Sequence, residues 1–259
     1  MSTFLFDQII FGPVKSRRLG VSLGVNLLPT DSKVCSFDCI YCECGWNPRE
    51  RHKKAVLPSR QEVAQQMEGK LSEMIRDQEL PDVITFAGNG EPTLHPEFEG
   101  IIEDTIQLRN RFTPKTRIAV LSNATMLHKP EVIRALLLVD DNIQKLDSGK
   151  EDTIRRIDCP NSNFKLKEVV KNLKSFQGKV IIQTMFLRGN HQNERIDNTT
   201  EEEIEAWLKL IAEISPSQVM IYTIDRDTPA SGIEKVKLEE LRQIADRIRE
   251  IGIEVQVSG

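Results

Sequence analysis

The sequence predicts an α/β fold, a partial (β/α)6 barrel of parallel strands, and three observations carry that expectation. Beyond residue 58, short β-branched runs alternate with amphipathic stretches of helical period. Several helix starts carry side chains suited to capping the first turn. No long linker, low-complexity tract or internal repeat divides the 259 residues. One domain over 1–259 is therefore expected, with 1–22 as an N-terminal extension and a long cysteine-bearing loop after the first strand.

Strands are expected at 23–27, 83–87, 117–122, 142–146, 179–186, 218–223 and 254–257. Several are apolar enough to be covered on both faces. Helices are expected at 60–77, 97–110, 130–138, 165–176, 200–214 and 237–251. Ser59 with Glu62 and Thr200 with Glu203 each form the S/T-x-x-E box that satisfies orphan amides at a helix start, and Pro130 suits a first turn. Six βα units in succession imply a parallel sheet. A curved open barrel and a doubly wound sheet share this pattern, and both gather functional groups at the C-terminal strand ends.

The composition, 39% hydrophobic and 29% charged, is that of a soluble globular chain. No segment approaches the roughly 18 apolar residues of a membrane span. The opening MSTFLFDQIIFG lacks a basic region and a cleavage site, so a cytoplasmic protein without a membrane partner is expected. A net charge of −4, from 35 basic and 39 acidic residues, does not favour a polyanionic partner.

Four of the five cysteines stand at Cys35, Cys39, Cys42 and Cys44, and Cys159 is alone. Such crowding in a reducing compartment points to metal binding rather than disulfides. The stretch Cys35-Ser-Phe-Asp-Cys39-Ile-Tyr-Cys42 can supply three thiolates from one loop. Three thiolates hold three irons of a [4Fe–4S] cubane and leave the fourth iron open to a small molecule. Zinc is the competing reading, with Cys44 as a fourth ligand, but structural zinc sites usually pair two separated knuckles, and no second C-x-x-C follows. Cys44 then reads as a free thiol beside the cluster, and Cys159, next to Pro160, as structural.

With Tyr41 preceding its third cysteine, this loop resembles the signature of the radical S-adenosylmethionine superfamily. Gly88-Asn89-Gly90-Glu91-Pro92, directly after the second long strand, looks like that superfamily's Gly-Gly-Glu motif, whose backbone holds the amino group of S-adenosylmethionine. Asn89 departs from the usual glycine and is expected to tolerate a left-handed backbone. The resemblance spans about 15–257 and is similar to the branch containing the wybutosine-synthesis and molybdenum-cofactor enzymes. It departs from the latter in having no cysteine after Cys159. The Asp-Gly-Pro-Gly motif of the glycyl-radical activases is also absent, and Phe11-Gly12-Pro13 is a fragment of it.

The resemblance implies a [4Fe–4S] cluster and S-adenosylmethionine as cofactors, a 5′-deoxyadenosyl radical that abstracts hydrogen from a substrate, and a flavodoxin- or ferredoxin-type reductant. It implies cofactor contacts from Tyr41, Gly88, Asn89, Gly90 and Glu91, from Ser122 and Asn123 after the third strand, and from Lys145 and Asp147 after the fourth. Lys145 needs an anionic partner, which the cofactor carboxylate or a surface pairing with Asp147 would supply. Gln183 and Thr184 interrupt the fifth strand and either line the site or satisfy backbone.

Arg17 and Arg18 precede the first strand beside a glycine-rich turn, where forked guanidinium groups can grip an anionic substrate at the mouth of the site. Arg226, with Asp227, follows the sixth strand and is a second substrate candidate. His52, His95, His128 and His191 lack ligand spacing. The substrate class stays open between small molecule, peptide and RNA. An iron–sulfur electron carrier and a zinc-stabilised nucleic-acid module are the alternatives, the latter disfavoured by the acidic balance.

Overall fold

A computed structural model of the chain describes residues 4–16, 18–48, 56–160 and 163–259. The chain opens with a hairpin, Ile10–Ser16 (β1) against Gly20–Val25 (β2), which pair antiparallel. From β2 onward a parallel sheet grows in chain order through Val83–Phe86 (β3), Arg117–Ser122 (β4), Asp141–Lys145 (β5) and Ile181–His191 (β6). After the short Glu194–Asp197 (β7), the sheet continues with Gln218–Thr223 (β8), and after Ile233–Lys235 (β9) it ends on Glu254–Ser258 (β10).

The crossovers are Arg60–Arg76 (α1), Phe98–Phe112 (α2), Pro130–Leu138 (α3), the pair Glu151–Ile157 (α4) and Leu166–Lys174 (α5), then Glu201–Ile214 (α6) and Leu238–Glu250 (α7). Because the strand order never reverses, the sheet is wound one way and not doubly. Apolar side chains alternate between its faces accordingly. Ile84, Ile118, Ile182 and Val219 pack outward against the helices, while Val83, Ala119, Ile143, Ile181 and Met220 form a separate inner layer with Leu19 and Leu121. The sheet does not close between β1 and β10. Across that open side Gln256 Nε2 donates to the Arg18 carbonyl at 3.2 Å, and the Arg18 guanidinium lies 4.4 Å over the Tyr222 ring.

Three features differ from the sequence expectation. The N-terminal extension contains β1, whose residues are mostly exposed and give little apolar alternation. Residues 151–157 form α4, a helix of 7 residues with no side-chain cap. β6 runs beyond the barrel to His191 and pairs antiparallel with β7 and β9 in a small flap. The Ser59 capping box is complete. That at Thr200 is one-sided: Thr200 Oγ1 accepts from Glu203 N, but the Glu203 carboxylate instead accepts from Ser148 Oγ at 2.6 Å and Thr153 Oγ1 at 2.8 Å. No helix among the described residues is long and apolar enough to cross a membrane.

Candidate active site

The connection between β2 and α1 carries the cysteines over the C-terminal ends of the parallel strands, and backbone hydrogen bonds fix it on several sides. Val34 N donates to Asn89 O at 2.9 Å and Glu91 N to Val34 O at 3.1 Å, seating the loop on the turn after β3. Asp38 N and Ile40 N donate to the carbonyls of Asp158 and Ile157 at the end of α4, at 3.0 and 2.9 Å. Ala230 N donates to Ile40 O at 3.1 Å. Phe37, Ile40 and Tyr41 are buried beneath the loop, so apolar packing and backbone pairing act together.

Cys35, Cys39 and Cys42 open onto one cavity of about 210 Å³, together with Tyr41, Gly88, Gly90, Glu91, Ser122, Asn123, Lys145 and Gln183. The glycines are required by close approach. A Cβ on Gly90 (φ +139°) would stand 1.9 Å from Val34 O, and one on Gly88 (φ +145°) would stand 2.6 Å from Asn26 Oδ1. Glu91 is buried; its carboxylate accepts from Thr93 N at 3.0 Å and Asn123 N at 2.6 Å. Burial raises its pKa, and those hydrogen bonds oppose the rise. Asn123 Nδ2 donates to Ser36 Oγ at 2.8 Å and lies 3.5 Å from Cys35 Sγ. Gln183 Nε2 donates to Tyr222 Oη at 2.8 Å.

Several expected residues take other roles. Asn89 does not adopt a left-handed backbone. Its buried side chain points away from the cavity, donating to Phe6 O and Pro29 O, both at 2.8 Å. Lys145 and Asp147 do pair, at 3.3 Å, but within the protein and not on its surface: their side chains are 16% and 0% exposed. The anion that Lys145 requires is thus supplied by the chain itself, through Asp147 and through Asp158 at 4.0 Å. Burial opposes its charge, yet Asp147 foremost holds its pKa well above the ordinary lysine value. Tyr41 Oη donates to Asp147, whose other oxygen accepts from Met185 N at 2.9 Å.

Arg18 does not stand at the mouth of the site. β2 runs parallel to β3, so the residues before it lie at the opposite rim, where Arg18 lines a separate cavity among the strand starts. Arg17 and His52 lie outside the described residues. Arg226 is at the cysteine end, paired with Glu43 of the cysteine loop at 2.6 Å. Thr184 Oγ1 donates to Leu146 O at 2.8 Å and so satisfies backbone. The remaining histidines are structural in their contacts: His95 bonds Pro58 O and Glu97 N, His128 bonds Thr125 O, and His191 stacks on Trp46.

Two residues near the thiols escaped the sequence reading. Lys33 is 3% exposed and donates to Gly45 O at 2.8 Å. Burial lowers its pKa, but Cys42, Cys35 and Cys39 outweigh this, and the net direction is up. Asp158, 1% exposed, accepts from Cys39 Sγ at 3.1 Å. A lysine two residues before the first cysteine was the available signal for Lys33; Asp158 belongs to a helix the sequence did not announce. Cys44 is outside the cavity lining, and its sulfur is 3.3 Å from Gly88 O.

The thiol set fits an iron–sulfur cubane. Three cysteines from one loop open onto one cavity beside a buried lysine that can offset thiolate charge, a donor set suited to three irons of a cubane.

Comparison with known proteins agrees in fold and sequence. The profile of the Radical SAM superfamily matches residues 30–198. A UPF0026 protein of Helicobacter pylori is 32% identical over 237 residues, covering 90% of this chain and 70% of that one. A Brachyspira hyodysenteriae protein named GTPase Obg is 30% identical over 238 residues; 90% of this chain is covered, but it spans only 32% of that protein. Among solved structures, a radical SAM methyltransferase from Sphaerobacter thermophilus superposes with a TM-score of 0.67 at 14% identity, covering 92% of this chain and 65% of that chain. TYW1 with a lysine-pyruvate adduct gives 0.65 at 15% identity, covering 88% and 73%. SuiB of Streptococcus suis bound to S-adenosylmethionine gives 0.62 at 16%, covering 90% and 50%. At these identities the structures attest the fold.

Proposed function

This chain belongs to the radical SAM superfamily, in company with the UPF0026 proteins, and we propose that it is an enzyme that cleaves S-adenosylmethionine reductively at a [4Fe–4S] cluster held by Cys35, Cys39 and Cys42. When bound and reduced, those cofactors supply a 5′-deoxyadenosyl radical that abstracts hydrogen from a substrate. The observation that carries the proposal is that the three cysteines and the Gly88–Glu91 turn, from two separate connections, open onto the same cavity at the C-terminal strand ends.

In this reading the chain's own groups position and shield. The glycines let the Gly88–Glu91 turn press against Asn26 and Val34, which seats its backbone at the cavity, where it would hold the cofactor's amino end. Glu91 is fixed by Thr93 and Asn123, so its carboxylate braces the turn from behind and couples it to the end of β4. Ser122, Asn123 and Gln183 supply neutral hydrogen-bonding groups along the wall, Lys33 stands beside the cysteines, and Lys145, paired with Asp147, packs on the Tyr41 ring. Leu121 and Ile143 form an apolar floor that excludes water from beneath. Because the cluster needs an external electron, the partner proposed is a flavodoxin- or ferredoxin-type protein.

The test is anaerobic reconstitution followed by metal analysis and electron paramagnetic resonance with and without S-adenosylmethionine. About four irons per chain are expected, with a spectrum that changes when S-adenosylmethionine binds. Iron should be lost in each of Cys35→Ala, Cys39→Ala and Cys42→Ala and retained in Cys44→Ala. One zinc per chain, with no iron, would contradict the proposal.

A further inference from the structure

A second cavity, of about 880 Å³, opens among the strand starts, at the rim of the barrel opposite the cysteines. One apolar layer divides the two. Leu121 and Ile143 face the cysteine cavity, while Leu19, Ile181 and Met220 face the rim cavity. A molecule held in the rim cavity is therefore walled off from whatever reacts at the cysteine end.

Arg18 lines the rim cavity and is held at two points. Its carbonyl accepts from Gln256 Nε2 at 3.2 Å, which ties its backbone across the open side of the sheet. Its guanidinium lies 4.4 Å over the Tyr222 ring, which fixes the position of the fork. Nη1 of that fork is nevertheless buried and has no hydrogen-bond partner among the described residues. Arginine does not give up its proton. A donor carrying positive charge is thus withdrawn from water, with an aromatic face as its compensation.

The acids on the same cavity are engaged elsewhere. Asp140 pairs with Arg109 at 3.1 Å, Asp141 pairs with Arg117, and Glu254 accepts from Gln218 Nε2 at 3.0 Å. Lys179, exposed on the cavity wall, adds a second cation. Asp141 is 1% exposed and meets Arg117 through one oxygen; the other, Oδ2, is buried without a partner among the described residues. The cavity therefore presents an open cationic donor, an open acceptor and an apolar wall.

We propose that the rim cavity is a binding site for an organic anion: a carboxylate or phosphate group on Arg18, an apolar body against Leu19, Ile181 and Met220, and a hydroxyl or amino group donating to Asp141. A guanidinium fork suits either anion. The Tyr222 hydroxyl accepts from Gln183 Nε2 at 2.8 Å, and Gln183 lines the cysteine cavity, so the two ends of the barrel meet at one side chain.

Isothermal titration of the full-length chain with ε-aminocaproate, caproate and inorganic phosphate tests this. The first probe carries all three features, caproate lacks the donor, and phosphate lacks the apolar body. Binding of ε-aminocaproate in preference to caproate is expected; phosphate binding tighter than either supports the site and identifies the anion as phosphate. Arg18→Met should raise Kd roughly ten- to a hundredfold, the loss of a charge-assisted hydrogen bond. Because that variant also gives up the contact with Tyr222 and could fail to fold, Lys179→Gln on the exposed wall serves as a second: it should weaken each probe by a smaller factor and leave Tm unchanged. No binding of any probe overturns the inference, as do affinities unchanged in Arg18→Met or, should that variant not fold, in Lys179→Gln. The titration needs no cluster, so its failure leaves the proposed function standing.

Discussion

Gly90 lies against Val34 so closely that a Cβ at residue 90 would stand 1.9 Å from the Val34 carbonyl oxygen, one residue before the first cysteine of the cavity. The two residues form an isolated parallel bridge, and this contact sets the height of the cysteine loop above the end of β3.

Gly90→Ala should therefore disturb the site before it disturbs the barrel. Residue 90 has a φ of +139°, which penalises any side chain, and the clash is with backbone that cannot rotate aside. Strain and overpacking together are expected to cost about 1–3 kcal/mol or more. The check is a thermal melt alongside iron content: a modest fall in Tm with a large fall in retained iron is expected, and full iron retention would show that the bridge does not govern the loop.

Lys33→Met should weaken iron retention for an electrostatic reason. The Lys33 ammonium is buried beside the three thiols and donates to Gly45 O, so its removal leaves thiolate charge less compensated and that carbonyl without its partner. A buried hydrogen bond to a charged group is worth about 1.5–3 kcal/mol. Faster loss of iron to a chelator in the variant is expected; equal rates would assign Lys33 to loop packing alone.

In the cluster-free protein the thiols should differ sharply in reactivity. The Cys44 thiol beside Cys42, followed by Lys33 after the opposing effect of burial, brings the Cys42 pKa down to about 6. Burial chiefly pushes Cys35 up to about 12. Alkylation followed by mass spectrometry should find Cys42 modified first at neutral pH, because the thiolate is the nucleophile, with a rate that rises through about pH 6. Cys44→Ala should move that midpoint upward; an unmoved midpoint would remove Cys44 as the cause.

The junction of α4 and α5 should weaken in acid. Glu151 Oε2 accepts from Leu166 N at 2.8 Å, and that hydrogen bond first, then Arg155, hold the Glu151 pKa below the ordinary 4.5. A carboxyl with a depressed folded pKa contributes stability above its unfolded value and loses it as pH falls through the folded one. Protection of the Leu166 amide from hydrogen exchange should thus decline below pH 4.5, and Glu151→Gln should flatten that dependence.

What the sequence disclosed follows from where its signals are strong. β4 and β8 fall at the expected residues, as does α3 with Pro130 in its first turn, because a buried parallel strand must be apolar and proline is preorganised for the first turn of a helix. β1 and the far half of β6 were illegible because their residues face solvent: Arg188-Gly189-Asn190-His191 has the composition of a loop, and only its partners β7 and β9 make it a strand. The gathering of Cys35, Cys39 and Cys42 at one cavity could be expected from their crowding in one loop. The carboxylate beside Cys39 could not, since Asp158 arrives from 119 residues away on a short helix with no capping signal. Arg18 was misplaced because chain order says that it precedes a strand, while only the parallel pairing of β2 with β3 says which rim that is.

The most direct measurement of the central claim is product analysis of the reconstituted, reduced protein incubated with S-adenosylmethionine in the absence of oxygen. The account predicts 5′-deoxyadenosine and methionine in equal amounts, formed slowly without substrate, and neither product from Cys35→Ala, Cys39→Ala or Cys42→Ala. A fully loaded, reduced cluster that yields neither product would contradict it.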